Sequence, residues 1–274
     1  TSKKILQYAI ILLGFGMNLF EIFRVGSQSL LIIISTIGTA LVVSYAVSRI
    51  MKIDHDIATL VGVGSSICGG SAIAAAAPVI KASDEDIAQS ISVIFLFNVI
   101  AAFLFPTLGA ILGFNDMGFG MWAGTAINDT SSVVAAGQTW ASASGSDTAL
   151  NYATIVKLTR TLAIIPICLG LAYLTSKRKA TTSEVKISSI FPMFIIYFLG
   201  ASIINTFAGS HFDFFQFLPA IGKFMIAMAM AAIGLNTNLV KLIKTGGKPI
   251  LLGLICWFCI AVVSLAMQHL LNIW

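Results

Sequence analysis

Two cationic side chains lie close together inside one apolar stretch of this sequence, and they are its most unusual chemical feature. Lys157 and Arg160 occur in "YATIVKLTRTLAIIP", three residues apart, so they share one face of a helix. At the centre of a membrane each charge costs on the order of 3 kcal/mol, so both must face protein, a partner or water. Asp129 is the one acid at comparable depth, and the remaining excess of positive charge suits an anion. The alternative is a structural cluster of Lys157, Asp129 and Arg160 without a ligand.

Two polar interruptions of apolar segments form the second chemical feature. They are "SSICGGS" at 65–71 and "INDTSS" at 127–132. Inside a membrane the backbone leaves the helix only where protein or a water-filled cavity satisfies it, and such breaks are typical of transporter binding sites. We expect Ser71, and Ser131 or Ser132, to cap the helix that restarts after each break. The free N–H groups there would attract an anion. The alternative is a pair of flexible glycine kinks.

The predicted substrate site therefore combines the two breaks with the polar residues of neighbouring segments. Glycines at the first break let a ligand approach the backbone closely, and Asn98 is a central polar residue in an apolar segment. The predicted site residues are Ser65, Ser66, Gly69, Gly70, Ser71, Asn98, Asn128, Asp129, Thr130, Ser131, Ser132, Lys157 and Arg160. Neither a nucleophile–histidine–acid pattern nor a phosphate or dinucleotide motif is present in its required context. We predict no enzyme activity, no cofactor and no metal.

Composition indicates which elements position these residues. The chain has 274 residues, of which 58% are hydrophobic and 10% are charged, whereas soluble domains carry about 25% charged residues. Apolar runs near 20 residues recur along the chain, and each is long enough to cross a bilayer core of about 30 Å. The sequence predicts an all-α polytopic membrane protein. We attribute its net charge of +5 to membrane topology, and we predict no nucleic-acid partner.

Nine apolar segments can be delimited to within a few residues. They are A (4–22), B (28–50), C (55–81), D (86–112), E (116–143), F (148–175), G (189–207), H (217–238) and I (249–271). A shift of 220 residues aligns A–B with H–I, so that "GFGMNL" falls on "GLNTNL". A shift of 60 residues aligns C–D with E–F, and Pro106 falls on Pro166. This self-similarity predicts an internal duplication.

The form of segments C and E decides what kind of duplication this is. If both are re-entrant hairpins, each repeat pair is inverted; if both are broken helices that cross the membrane, C–D and E–F are parallel. We favour hairpins, because each half of C or E has only about ten residues, or about 15 Å of helix. Lysine and arginine residues concentrate on one side and predict a cytoplasmic N-terminal end. The repeat also predicts a partner for G upstream of Thr1.

At these motifs the sequence resembles the family described as sulfate exporters, the YeiH-type conserved hypothetical membrane proteins. The stretches that carry the resemblance are "GVGSSICGGSAIAAAAPVI" (62–80), "GTAINDTSSVVAAG" (124–137), "IVKLTRTLAIIP" (155–166) and "AAIGLNTNL" (231–239). The resemblance spans most of the chain. It implies export of sulfate or a related sulfur oxyanion.

The prediction is an inverted-repeat secondary transporter of a small anion in the plasma membrane, forming one transmembrane domain over 1–274. The order hairpin–helix–hairpin–helix is similar to the transport core of glutamate transporter homologues. By this analogy, 55–175 would be a moving core, and 1–54 with 189–274 a scaffold that could form a homodimer. The competing hypothesis is an anion channel, which would need a continuous polar path, whereas the polar residues concentrate at one depth.

Overall fold

The computed structural model describes residues 2–179, 193–208, 217–236 and 247–273. Within these ranges every regular element is an α-helix, and we number twelve of them. They are α1 (Ser2–Gly14), α2 (Leu19–Met51), α3 (His55–Ser66), α4 (Gly70–Ile80), α5 (Asp84–Ile111), α6 (Asp116–Ala126), α7 (Thr130–Ser144), α8 (Thr148–Thr161), α9 (Ile164–Lys179), α10 (Met193–Ala208), α11 (Leu218–Asn236) and α12 (Gly247–Leu270).

Among the described residues, four helical stretches are long and apolar enough to cross a membrane. They are Leu19–Met51, Asp84–Ile111, Thr148–Thr175, which joins α8 to α9, and Gly247–Leu270. Their outward faces carry large apolar side chains such as Ile34 (64% exposed), Phe103 (79%) and Phe258 (63%). Such faces are stable against lipid and not against water. The prediction of an all-α membrane protein is confirmed.

The boundary between the first two helices was predicted wrongly. Segment A was expected to reach 22 and B to begin at 28, but α1 ends at Gly14 and α2 begins at Leu19. The side chain of Asn18 accepts the N–H of Phe20 at 2.8 Å and caps α2. Helix α1 ends where Gly14 lies against α10, since a Cβ there would be 2.6 Å from the carbonyl oxygen of Phe198. The start of segment G, the end of H and the linker after Lys179 lie outside the described residues.

Segments C and E each form a pair of helices separated by a short break. The break between α3 and α4 comprises residues 67–69, and the break between α6 and α7 comprises residues 127–129. Both pairs fold back on themselves. Carboxylate oxygens of Asp54 and Asp56, at the start of α3, lie within 4.8 Å of Asp86, which follows the end of α4. Trp140 near the end of α7 donates to Asp116 at the start of α6 at 2.8 Å.

Glycines bring α6 into close contact with α8. A Cβ at Gly120 would lie 2.6 Å from the Cβ of Tyr152, and one at Gly124 would lie 2.7 Å from the Cβ of Val156. Small residues four apart allow two helix backbones to approach in this way. The contact fixes α8 beside the first arm of the second pair. It thereby sets Lys157, which follows Val156, next to the break that ends α6.

Candidate functional site

Lys157 joins the two breaks. Its Nζ donates to the carbonyl oxygen of Ile67 at 2.7 Å and to that of Ile127 at 2.9 Å. These acceptors are the first residues of the two breaks, and the lysine is fully buried. The breaks are 60 residues apart in sequence, yet one ammonium group holds both. The two interruptions therefore meet at Lys157.

Arg160, one turn further along α8, binds the two helix ends that precede the breaks. Its Nε donates to the carbonyl oxygen of Ser66 at 2.8 Å and its Nη2 to that of Ser65 at 2.6 Å. Its Nη1 donates to the carbonyl oxygen of Thr125 at 2.5 Å. The last carbonyl oxygens of a helix receive no hydrogen bond from an N–H group of the same helix, and they carry the negative end of its dipole. Arg160 therefore caps the C-terminal ends of α3 and α6 together.

Neither buried cation forms an ion pair with an acid in the part of the chain that the structure describes. The ion pair present there joins Lys223 to Asp147 at 2.5 Å. Asp129 instead accepts the N–H and the hydroxyl hydrogen of Ser131 on its own helix. A direct ion-paired cluster of Lys157, Asp129 and Arg160 is therefore not formed. The two cations instead bind backbone carbonyl oxygens.

Asn98 on α5 supports the second break. Its Oδ1 accepts the backbone N–H groups of Asn128 at 3.2 Å and of Asp129 at 3.1 Å. The same side chain borders the first break, because a Cβ at Gly69 would lie 3.4 Å from Asn98 Nδ2 and 3.4 Å from the Cβ of Asp129. Asn98 is 1% exposed. The two breaks thus meet beside the middle of α5.

The residues that cap the restarting helices differ from those predicted. Gly69, at φ +70°, precedes α4 without any side-chain cap, and Asp129 caps α7 by accepting the N–H of Ser131 at 3.0 Å. The predicted caps Ser71, Ser131 and Ser132 are wrong because α4 begins at Gly70 and α7 at Thr130, so these serines lie inside the first turn. The start of α4 is consequently uncapped, whereas a carboxylate covers the start of α7.

Open space adjoins the uncapped start of α4. A Cβ at Gly70 would meet no atom of the described residues within 4 Å, and Ser71 beside it is exposed. The first N–H groups of a helix have no acceptor in the preceding turn. Those of Gly70 and Ser71 are therefore available to a ligand that enters this space.

Two buried polar side chains at the breaks have no hydrogen-bond partner among the described residues. They are Asn128, at both its Oδ1 and Nδ2, and Ser65, at its Oγ. Asn128 is 1% exposed and Ser65 is 0% exposed. A buried polar group without a hydrogen-bond partner lowers the stability of the fold by about 1–3 kcal/mol. The unpartnered amide of Asn128 and hydroxyl of Ser65, beside two cations, are therefore suited to hydrogen bonds with a bound solute.

The predicted site residues gather as follows. Contacts around the two breaks connect Ser65, Ser66, Gly69, Asn98, Asn128, Asp129, Ser131, Lys157 and Arg160. Gly70, Ser71, Thr130 and Ser132 lie in the first turns of α4 and α7, directly after the breaks. Sequence reasoning missed the acceptors on Ile67, Thr125 and Ile127, because a backbone carbonyl carries no signal in the residue type.

Comparison with known proteins agrees with this membrane architecture. Residues 1–253 match the family described as "Conserved hypothetical protein 698". The chain belongs to this family. A relative described as a UPF0324 membrane protein, from Streptococcus pyogenes serotype M3, is 58% identical over 280 residues, covering 100% of this chain and 82% of the relative.

Two further relatives of the family carry the same description. A UPF0324 membrane protein of Streptococcus mutans is 57% identical over 282 residues, which cover 100% of this chain and 82% of the relative. One from Fusobacterium nucleatum is 55% identical over 287 residues, covering 99% and 83%. No solved structure matches the chain significantly. The family relationship and the four apolar helices together identify a membrane protein.

Proposed function

We propose that this membrane protein is a secondary transporter of a small anion, such as sulfate or a related sulfur oxyanion, which binds where the two breaks meet. The observation that carries the proposal is the buried and unpartnered side chain of Asn128 beside the fixed cations Lys157 and Arg160. An amide that makes no bond within the described protein is explained by a bound solute. The buried positive charge selects the sign of that solute.

The charges and donors at the breaks support an anion. Lys157 and Arg160 contribute two positive charges and Asp129 one negative charge, so one positive charge is uncompensated among these three groups. Of three N–H donors on Lys157, two bond to carbonyls, and of five on Arg160, three do so. The remaining donors, together with the open start of α4, form a set that matches an oxyanion.

The fold-back of each helical pair supports the re-entrant form of segments C and E. The first pair begins and ends beside Asp86, at the start of α5. The second begins and ends near the other end of α5, where a Cβ at Gly109 would lie 2.6 Å from Phe119 and 2.9 Å from Trp140. Helix α5 has 28 residues, or about 42 Å. Two hairpins that enter from opposite faces and meet at Lys157 therefore account for these contacts.

The element bounds support an inverted repeat. Shifting α3, α4 and α5 by 60 residues brings them close to α6, α7 and the joined α8–α9. Because the two pairs lie at opposite ends of α5, the repeat is inverted in this proposal, with the N-terminal end of the chain cytoplasmic in the plasma membrane. Inverted repeats around broken helices are the architecture of carriers that alternate between two faces. A carrier is therefore favoured over the anion channel.

The test uses sulfate exchange in proteoliposomes and sulfate binding to the purified protein. Asn128→Leu keeps the branching at Cγ but removes both polar groups, which have no protein partner in the described residues. We expect unchanged or higher thermal stability, and a loss of sulfate binding and exchange of about tenfold or more, equivalent to about 1.4 kcal/mol. Saturating flux with counterflow would support a carrier, and flux without counterflow would support a channel.

Asn98→Leu is the matched control, since this asparagine accepts two backbone bonds. We expect this variant to lower the thermal stability of the protein, unlike Asn128→Leu. Wild-type protein that neither binds nor exchanges sulfate, nor any other small oxyanion in a panel, would overturn the proposed function. Asn128→Leu with normal binding and exchange would overturn the proposed site.

A further inference from the structure

Two cavities lie on opposite sides of the breaks, and α2 lines both. The upper cavity, of about 570 Å³, is bounded by Arg24 and Gln28 at the start of α2, Asn115, Met117, Met121 and Tyr152 of the second pair and α8, and Leu271–Ile273 after α12. The lower cavity, of about 400 Å³, adjoins the second half of α2, α3 and α9. The two cavities share no lining residue.

Each cavity ends about one helical turn from a carbonyl that Arg160 binds. Met121 lines the upper cavity and stands four residues before Thr125. Gly62 lines the lower cavity and stands four residues before Ser66. Four residues along a helix span about 6 Å. Arg160 and its acceptors therefore separate the two cavities, one on each side.

The linings of the two cavities differ in charge. The upper cavity contains one charged side chain, Arg24, which is exposed and forms no ion pair within the described residues. Neutral hydrogen-bonding side chains share the wall, namely Gln28, Asn115, Tyr152 and Asn272. Among the described residues, no acidic one lines the upper cavity, and neither a lysine nor an arginine lines the lower cavity.

We propose that the upper cavity is a second, peripheral binding site for a small oxyanion, which Arg24 captures before or after it occupies the site at the breaks. This inference rests on the proposed function for its role in transport, but the binding site itself is separate. A guanidinium can hold an oxyanion with two parallel N–H bonds, so Arg24 supplies the charge-assisted contacts of this site. A cavity open to water makes this site weaker than the buried one.

The test measures binding in the upper cavity without relying on transport. Gln28→Cys is made in the otherwise unchanged chain and labelled with a membrane-impermeant thiol reagent in phosphatidylcholine vesicles, at constant ionic strength. The unmodified chain is the background control, because Cys68, Cys168 and Cys256 are buried and Cys259 is half-buried. We expect sulfate to slow the labelling of Cys at 28 by about threefold or more, equivalent to about 0.6 kcal/mol.

Two further variants separate the sites. Arg24→Gln should abolish the protection, whereas Lys223→Gln should not, because Lys223 is already paired with Asp147 at 2.5 Å. Asn128→Leu, at the breaks, should leave the protection intact. In exchange assays, Arg24→Gln should raise KM with little change in kcat, since it removes capture and not translocation.

The outcomes distinguish the two proposals. Protection that depends on Arg24 in a protein that exchanges no anion would support the peripheral site and overturn the proposed function. Normal exchange with no protection, or with protection that Arg24→Gln leaves unchanged, would overturn the peripheral site alone. Protection that requires phosphatidylglycerol and no added sulfate would assign the cavity to a lipid headgroup and overturn it as well. Asn272→Cys, on the opposite wall, repeats the test if Gln28→Cys does not fold.

Discussion

Arg160 donates a hydrogen bond of 2.6 Å to the carbonyl oxygen of Ser65, which precedes it by 95 residues. The acceptor lies at the end of α3, one of the two helices that stop inside the protein. A cation at a helix C-terminus offsets the dipole and satisfies a carbonyl that has no helical partner. The buried charge of Arg160 is therefore part of what allows two helices to end within an apolar interior.

We expect removal of either cation to destabilise the fold. Arg160→Met leaves three carbonyl acceptors unsatisfied and Lys157→Met leaves two. At about 1–3 kcal/mol for each buried group, the loss should be about 3 kcal/mol or more for Arg160. Thermal unfolding in detergent measures it. Arg160→Lys, which keeps the charge but has fewer donors, should restore part of the stability. If Arg160→Met were as stable as the wild type, the result would contradict this structural role of Arg160.

Asn98 should be a structural residue and Asn128 a ligand residue, although both are buried amides. Asn98→Leu removes the acceptor for two backbone N–H groups and should cost about 2 kcal/mol. Asn98→Asp keeps an acceptor at the same place and tests whether acceptance is what counts. Stability is read from unfolding curves. An Asn98→Leu protein as stable as Asn128→Leu would show that the bonds to the second break are dispensable.

Adjacent glycines at the first break should respond differently to the same change. Gly69 has φ +70°, so Gly69→Ala should cost about 1–2 kcal/mol. Gly70 has open space at its Cβ position, so Gly70→Ala should have little effect on stability, while Gly70→Val should obstruct the approach to the start of α4 and weaken sulfate binding. Paired measurements of melting temperature and affinity check this. Equal losses of stability at 69 and 70 would be inconsistent with the two backbone environments.

Thiol labelling tests the re-entrant arrangement. Ser83 lies directly after the first pair and Met117 at the start of the second, and both are exposed. If the pairs are hairpins from opposite faces, Ser83→Cys reacts with an impermeant reagent only from the cytoplasmic side and Met117→Cys only from the outside. Broken helices that cross the membrane would reverse both results. Gln89→Cys, in the second turn of α5, serves as a further marker for the side that Ser83 occupies.

Much of the arrangement follows from local features of the sequence. Of the nine predicted apolar segments, B, D, F and I correspond to the four described stretches that are long and apolar enough to cross a membrane, because a bilayer requires each to be apolar over its whole length. Polar residues in apolar surroundings predict breaks within 65–71 and 127–132, which the structure places at 67–69 and 127–129. The buried position of Lys157 and Arg160 follows from the cost of exposing charge to lipid. The 60-residue repeat predicts that the two breaks are equivalent.

Other features were decided only by tertiary structure. Several residues at the breaks are of types that cap helices, namely Ser71, Asp129, Ser131 and Ser132. Which of them does so depends on the residue at which each helix restarts after its break. The partners of Lys157 and Arg160 are backbone carbonyls 30 or more residues away. Every residue type offers such an acceptor, so no local pattern announces it. The sequence by itself determined that two buried cations needed partners or water. Only packing, which brings distant chain segments within 3 Å, decided that the breaks and the helix ends before them supply the acceptors.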